Sequence, residues 1–403
     1  MQARLQRRLP AVAVGAFVVM VLLTAVVSVL ADRSVAPDVE PGYLDGPTWL
    51  DALFRGDSGW YHAIASAGYS YTPGVQSPIA FFPAYPLAVH GLGLLLGSDW
   101  STAAGWVTLL SAAGMVALFA DWARTRLPAR TAVLSVALLL LYPYSFFLYG
   151  SGYSDALFLL SALGSFALLE RRHFVLAGLV GILATGGRPV GIAVLIGLVV
   201  RAVELLAEER ATAAGDAGPR RPVPFTALVA ALPAVRWRQC ALLLSGAGLV
   251  GWMVYLGTSF GDPLAFLSVQ AAPGWNQGSG PHTWLKFDFV GTILKGLWDN
   301  IVLLVPQALA CAAAVLLLRT TWRRFGWGYT AYAVVTLAIP IIGTKDFMGG
   351  GRYALAAFPV FAAAAVVLIE GRRPRWLLPI VLVVLAGGLV VATVAYVHGV
   401  EVS

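Results

Sequence analysis

Four short stretches hold the residues that could do chemistry, each setting charged side chains among aromatics or glycines in an otherwise apolar chain. The first runs Arg55-Gly-Asp-Ser-Gly-Trp-Tyr-His62, continues through Gly68 and Tyr69, and is followed by Ala80-Phe-Phe-Pro-Ala-Tyr-Pro86. A carboxylate such as Asp57, set among aromatics, is partly desolvated, and its pKa can rise toward that of a useful base. The plainer alternative is an aspartate capping a helix at Ser58. The second stretch joins Tyr142-Pro-Tyr-Ser-Phe-Phe147 to Gly152-Tyr-Ser-Asp155, where Asp155 opens the next apolar segment and could likewise cap it. The third is Ala184-Thr-Gly-Gly-Arg188-Pro-Val-Gly191. An arginine between two short apolar segments is expensive unless it meets an anion or lines water. The fourth is Lys345-Asp-Phe-Met-Gly-Gly-Gly351-Arg352-Tyr353. Its glycines would let backbone amides approach a ligand while Lys345 and Arg352 grip a phosphate, or they would form a flexible hairpin turn with snorkelling cations. His62, His90 and His282 do not have the spacing of metal ligands.

The elements that must position these residues are membrane spans. Of 403 residues 59% are hydrophobic and only 12% charged, against about 25% charged in a soluble globular chain, and the mean hydropathy is +0.79. Eleven apolar segments read as spans: 11–31, 101–122, 131–149, 156–169, 174–185, 189–200, 240–259, 297–318, 327–343, 354–369 and 376–397. The run from Ile79 to Gly97 is also apolar, but Pro83, Pro86 and His90 make it an interfacial or re-entrant helix. With the N-terminus cytoplasmic, 20 of the 27 basic residues fall on cytoplasmic segments, as the positive-inside rule requires. That pattern, rather than nucleic-acid binding, explains the pI of 9.5. The whole chain then reads as one all-α transmembrane domain. It has a first extracytoplasmic loop at 32–100, a partly disordered cytoplasmic loop at 201–238 and a second extracytoplasmic loop at 259–296. The seven remaining cations, Arg188, Lys286, Lys345 and Arg352 among them, lie on the outer side against the rule and need another reason. Cys240 and Cys311 lie in apolar runs, so no disulfide framework is expected. Only three of the basic residues are lysines, a bias that suggests GC-rich coding and a bacterial source. No nucleotide-binding loop or soluble sugar-nucleotide domain is visible, so substrates are expected to arrive through the lipid.

In this order the four stretches resemble the GPI mannosyltransferase II (PIG-V) family and its bacterial relatives, within the GT-C glycosyltransferases. The match rests on Asp57, Trp60 and Tyr61, Ile64 and Ala65, Gly68 and Tyr69, and Ala80 through Pro86. It continues at Tyr153, Ser154 and Asp155, then at Thr185, Arg188 and Gly191, and ends with Arg352, Tyr353, Phe358 and Pro359. Gly56 stands where the family usually has tryptophan before the aspartate, and His90 where many members have arginine. The resemblance implies a GT-C fold, a polyprenyl-phosphate-linked sugar donor with mannose expected, a glycolipid or glycan acceptor and inversion at the anomeric carbon. The site would face outward from a bacterial plasma membrane, or into the lumen of a eukaryotic ER. Asp57 would be the general base, with Arg352, Arg188 and Lys345 against the donor phosphate. Tyr61, His62, Asp155, Tyr353 and His282 are the substrate-contact candidates. A phosphate-linked sugar is already activated, so no metal or cofactor is implied, and no nucleic acid. Two other classes compete: a transporter or flippase for a lipid-linked or anionic substrate, clamped by Arg188 and Arg352, and a scaffold subunit with no use for Asp57. The absence of a visible internal duplication weakens the transporter reading.

Overall fold

The structure is a computed structural model that describes residues 2–34, 51–215, 222–277, 280–371 and 373–402. Among the described residues all regular structure is helical. In chain order come α1 (Gln2–Asp32), α2 (Ser58–Ala67), α3 (Ala84–Leu95), α4 (Trp100–Arg124), α5 (Ala129–Leu141), α6 (Asp155–Glu170), α7 (Phe174–Thr185), α8 (Ile192–Ala213), α9 (Phe225–Ala231), α10 (Trp237–Cys240) and α11 (Ala247–Phe260). They are followed by α12 (Ala265–Ser268), α13 (Pro281–Trp284), α14 (Phe287–Leu294), α15 (Trp298–Phe325), α16 (Trp327–Gly343), α17 (Gly350–Ala356), α18 (Pro359–Glu370) and α19 (Leu377–Val397).

Six stretches are long and apolar enough to cross a bilayer: 6–32, Trp100–Arg124, Pro189–Ala213, Trp237–Phe260, Trp298–Phe325 and Leu377–Val397. The pair α17 and α18, bent by 81°, makes a seventh if it is one span. The chain is a multi-pass membrane protein. Its outer helices leave apolar side chains bare, with Leu316 80% and Val383 71% exposed, as lipid-facing surfaces require. The packed centre is formed by α6 against α4 and α7, with α8 against α16.

Each of the eleven expected spans meets helix, but the remainder are short, and two are broken by proline. Helix α5 stops at Leu141 because Tyr142, ahead of Pro143, is extended (ψ 135°), and Pro143–Leu148 becomes a 3-10 turn. The segment 354–369 divides where Ala357 leaves helical geometry (ψ 55°) and Pro359, lacking an N–H, starts α18. The expected cytoplasmic loop at 201–238 is also corrected. Helix α8 continues to Ala213, and 225–231 and 237–240 are helical too, while residues 216–221 lie outside the described part. Residues 35–50 and 278–279, within the two loops expected to be extracytoplasmic, and Arg372, also lie outside it. Helix α3 has 12 residues, about 18 Å of rise, short of a hydrocarbon core of about 30 Å.

Helix α8 runs on through Arg201 because the charges there are paired. Arg201 contacts Glu170 at 2.9 Å, Glu204 at 2.9 Å and Glu208 at 2.8 Å. Glu170 also takes Arg126 at 3.1 Å and the Tyr329 hydroxyl at 2.9 Å. Glu204 accepts the N–H groups of Trp327 (2.7 Å) and Gly328 (3.1 Å), the first residues of α16. That is where a carboxylate best meets a helix's positive end. This network closes one end of the bundle. The other end of α6, 15 residues away at Asp155 and so about 22 Å distant, holds the four stretches singled out above.

The contact of α8 with α16 depends on Gly328, where a Cβ would run into the Arg201 backbone, with Cα at 2.6 Å. Gly328→Ala is expected to destabilise the fold by about 1–3 kcal/mol, the usual range for overpacking. A control, Gly251→Ala, meets open space and should not lower the thermal midpoint in detergent. Equal midpoints for both variants would contradict this packing.

Candidate active site

The loop carrying Asp57 is fixed by its backbone. Tyr153 donates its hydroxyl proton to Arg55 O (3.2 Å) and accepts the Asp57 N–H (2.9 Å). Tyr396 donates to the same carbonyl at 2.6 Å and accepts the Arg55 N–H at 3.3 Å. Between the two gripped residues, Gly56 has φ +57°, and a Cβ there would lie 2.8 Å from the Tyr153 hydroxyl. This backbone therefore admits glycine and not the tryptophan of the resembling family. The Arg55 guanidinium is buried and spent on anchoring, with Asp32 at 3.3 Å and Val397 O at 3.4 Å. Asp57 precedes α2, yet its carboxylate makes no capping hydrogen bond. The capping alternative is set aside. It points instead at Arg352, whose Nη1 donates to Oδ2 at 3.1 Å.

Arg352 is shared. Its Nε and Nη2 donate to Asp155 Oδ2 at 3.2 and 2.8 Å, while Arg188 Nη1 pairs with Asp155 Oδ1. Asp155 is only 1% exposed and, like Asp57, does not cap its helix. It is the counter-charge of two buried arginines, which also lie over aromatic faces. Arg352 sits 4.6 Å from the Tyr153 ring centre and 4.8 Å from that of Phe147, and Arg188 sits 5.2 Å from that of Tyr353.

Gly350 and Gly351 serve neither of the expected purposes. Gly349 (φ +78°) starts α17. A Cβ on Gly350 would lie 2.8 Å from Cys311 Sγ, and one on Gly351 would enter the Tyr144 ring. They allow a buried helix to pack closely, and that helix delivers Arg352.

A cavity of about 400 Å³ opens beside Asp57, within the range of small-ligand sites. Asp57 is 31% exposed, and it lines this space with Arg352, Arg188, Lys345, Tyr61 and Tyr353. Surrounding protein raises the Asp57 carboxyl above its ordinary value. Arg352 opposes the rise, and Asp155 adds to it. Lys345 forms no ion pair with a described residue; its backbone N–H donates to Gln277 Oε1 at 3.3 Å. The Tyr61 hydroxyl pairs with Ser154 at 2.8 Å.

Three of the expected substrate contacts do not line the cavity; one is Asp155, buried between the two arginines. His282 is exposed and His62 is half-buried, and neither lines the cavity; burial lowers the His62 pKa. His90 is structural, its Nδ1 donating to Ala65 O (2.7 Å) and its ring stacked on Trp100. Lys286 also lies off the cavity. Its ammonium donates to Pro340 O and Thr344 Oγ1, each at 3.2 Å, and burial brings its pKa down to about 8. Sequence reasoning passed over Phe81, Gln270, Trp275, Gln277 and Glu401, all of which line the cavity. A tryptophan between two glutamines in a long outer loop was the available signal.

Removing Asp155 would strand two buried cations, and breaking such a pair costs roughly 3–5 kcal/mol. Asp155→Asn should therefore lower the thermal midpoint far more than Asp57→Asn, whose carboxylate reaches the cavity. Similar midpoints for the two variants would show that Asp155 is not the keystone.

No family model matches the chain, and no curated protein matches it. Among solved structures it is similar to ArnT from Cupriavidus metallidurans bound to undecaprenyl phosphate, at 16% identity and a TM-score of 0.49, over 96% of this chain and 77% of that one. It is also similar to the Archaeoglobus fulgidus oligosaccharyltransferase tethered with an acceptor peptide, at 14% identity and a TM-score of 0.45, over 96% of this chain and 55% of that one. The same archaeon's AglB in complex with an inhibitory peptide and a dolichol-phosphate overlaps at 13% identity and a TM-score of 0.43, over 95% and 56% of the two chains. The chain thus spans little more than half the length of the archaeal enzymes it matches.

Proposed function

We propose that this chain is an inverting glycosyltransferase. It moves a mannosyl residue, or a related hexosyl or pentosyl residue, from a polyprenyl-phosphate-linked donor to a hydroxyl of a glycolipid or glycan. The site faces the extracytoplasmic side of a bacterial plasma membrane. One observation carries this reading: a carboxylate with a raised pKa opens into a cavity while hydrogen-bonded to Arg352, one of two buried arginines that share Asp155.

In the transfer, the acceptor hydroxyl oxygen attacks the anomeric carbon and its proton passes to Asp57. The bond from that carbon to the phosphate oxygen breaks on the opposite face, and polyprenyl phosphate departs with the electron pair. Asp57, Asp155, Arg188 and Arg352 together are neutral. Once Asp57 takes the proton, Arg352 loses one of its two carboxylate partners just as negative charge grows on the phosphate. Its guanidinium, with Arg188 and Lys345, then stabilises the leaving group. The closed network at the Glu170 end of the bundle supports a one-sided site over a transporter's path through both faces.

Purified protein given polyprenyl-phosphate-mannose and candidate glycolipids should form a mannosylated lipid. Asp57→Asn should slow transfer by roughly 100-fold or more while leaving donor binding intact. The base must be ionised, so the rate should fall as pH drops through an Asp57 pKa held above the ordinary carboxylate range. Arg352→Gln removes the group that lowers that pKa, so residual activity should titrate at higher pH still. An acid limb that persists unchanged in Asp57→Asn would assign the base elsewhere.

Sidedness is tested separately, in a background lacking Cys240 and Cys311. Cysteines at the exposed positions Val75 and Thr212 should react with an impermeant reagent from opposite sides of the membrane. Labelling of both from the outside would overturn the orientation.

A further inference from the structure

Part of the cavity wall is aromatic. Trp60 stacks on Phe81 at 5.9 Å and 19°, and Trp275 leans against both, at 5.8 and 6.1 Å. Tyr61 meets the Phe81 edge at 5.1 Å, so the wall continues toward the Asp57 end. Phe81 and Trp275 line the cavity, and Gln270 and Gln277 line it beside them.

The loop that carries Trp275 is held against the first loop. At Gly274 (φ +102°) a Cβ would collide with the Gln76 side chain. Trp275 N–H and Asn276 N–H both bond Ala272 O, at 3.2 and 3.0 Å. The Gln277 side chain accepts the Lys345 backbone N–H. The cavity lining therefore combines two chemistries, arginines with a lysine and aromatic rings with primary amides.

A pyranose or furanose ring has the complementary character. Its C–H face is apolar and prefers an aromatic surface, while its rim of hydroxyls needs donors and acceptors together, which an amide supplies at one position. A phosphate has no use for that wall, and an alkyl chain has no use for the amides. We infer that Phe81 and Trp275, with Gln270 and Gln277, form a sugar-ring subsite in the cavity that Asp57 and Arg352 also line. It deepens the transferase reading and rests on it for the identity of the molecule that carries the ring, the donor sugar or the terminal sugar of the acceptor.

The test uses the full chain in detergent, as wild type and as Trp275→Ala, Trp275→Phe and Gln277→Ala. Saturation-transfer NMR with methyl α-mannoside and a methyl pentoside reads the ring alone. Affinities for polyprenyl phosphate with and without mannose read the donor, and KM and kcat for a glycolipid read the acceptor. Trp275→Ala should reduce the methyl glycoside signal about 3- to 10-fold, as fits one ring contact, and Trp275→Phe should keep most of it. Affinity for bare polyprenyl phosphate should not change.

A donor ring shows as a similar loss confined to the mannose-bearing lipid. An acceptor ring shows as a raised KM with kcat within about twofold. Unchanged glycoside signal, donor preference and KM in Trp275→Ala would overturn the subsite and leave the transferase standing. So would an equal loss of bare lipid binding. A glycoside signal that depends on Trp275 in a protein that binds no polyprenyl phosphate would keep the subsite and overturn the transferase.

Discussion

The structure turns on one buried carboxylate. Asp155 sits at the first residue of α6 with almost no contact with solvent, where an unpaired charge would cost several kcal/mol. Two guanidiniums hold it there, and together they overcompensate it by one charge. Asp57 supplies the missing negative charge through Arg352. This balance sets what the backbone around it must do. The chain turns between α7 and α8 to present Arg188, in extended geometry (φ −158°), ahead of Pro189. It breaks and bends by 81° at Ala357 so that α17 can carry Arg352 inward. It takes a left-handed turn at Gly56 so that Asp57 faces the same point.

A neutral quartet is also a responsive one. Asp57 is its only member that opens appreciably to the cavity, so a proton delivered there changes the charge of a dry cluster without moving any heavy atom far. In a medium of low effective dielectric such a change is felt strongly by a neighbouring anion. Asp155 cannot play this part. It is shielded from the cavity and held by three guanidinium N–H bonds. Under the proposed reading the two carboxylates have separate duties imposed by exposure: one fixes the cations, and the other exchanges a proton.

Much of this was legible in the sequence, and the limits are physical. Charges at the ends of apolar segments marked Arg188, Arg352 and Lys345 as residues needing a reason, and the first two meet a buried carboxylate. Their partner was hidden, because Asp155 lies 33 residues from Arg188 and 197 from Arg352. Local spacing offers only a helix cap as its explanation. The triple glycine was misread for the same cause. Glycine announces close approach, but whether a phosphate or the Tyr144 ring approaches is decided by a segment two hundred residues earlier. Hydropathy found the longer apolar segments but left Phe225–Ala234 in a loop, and it ran past Pro143 and Pro359, where lost backbone hydrogen bonds outweigh side-chain apolarity. Arg201 looked like the end of a span because a lone arginine would be. Four acidic and phenolic partners, one each from α6 and α16 and two from its own helix, let α8 continue. His62 and His282 failed as contacts because motif proximity does not fix which way a side chain faces.

The two parts of the cavity lining differ in how they are built as well as in chemistry. Asp155, Arg188 and Arg352 project from helices or helix junctions packed in the bundle's interior, where rotamers are locked and positions reproducible. Phe81 and Trp275 come from the long connections between helices, where sequence change is tolerated and recognition is commonly carried. Mutual stacking with Trp60 gives these rings a fixed surface without tying them to the charge balance. Under the proposed reading, a substitution in either loop could alter which ring is accepted while the quartet keeps its neutrality. The reverse does not hold. A change at Asp155 disturbs both arginines, the pKa of Asp57 and the seating of α17 at once, so the chemistry is the part of the site least free to vary.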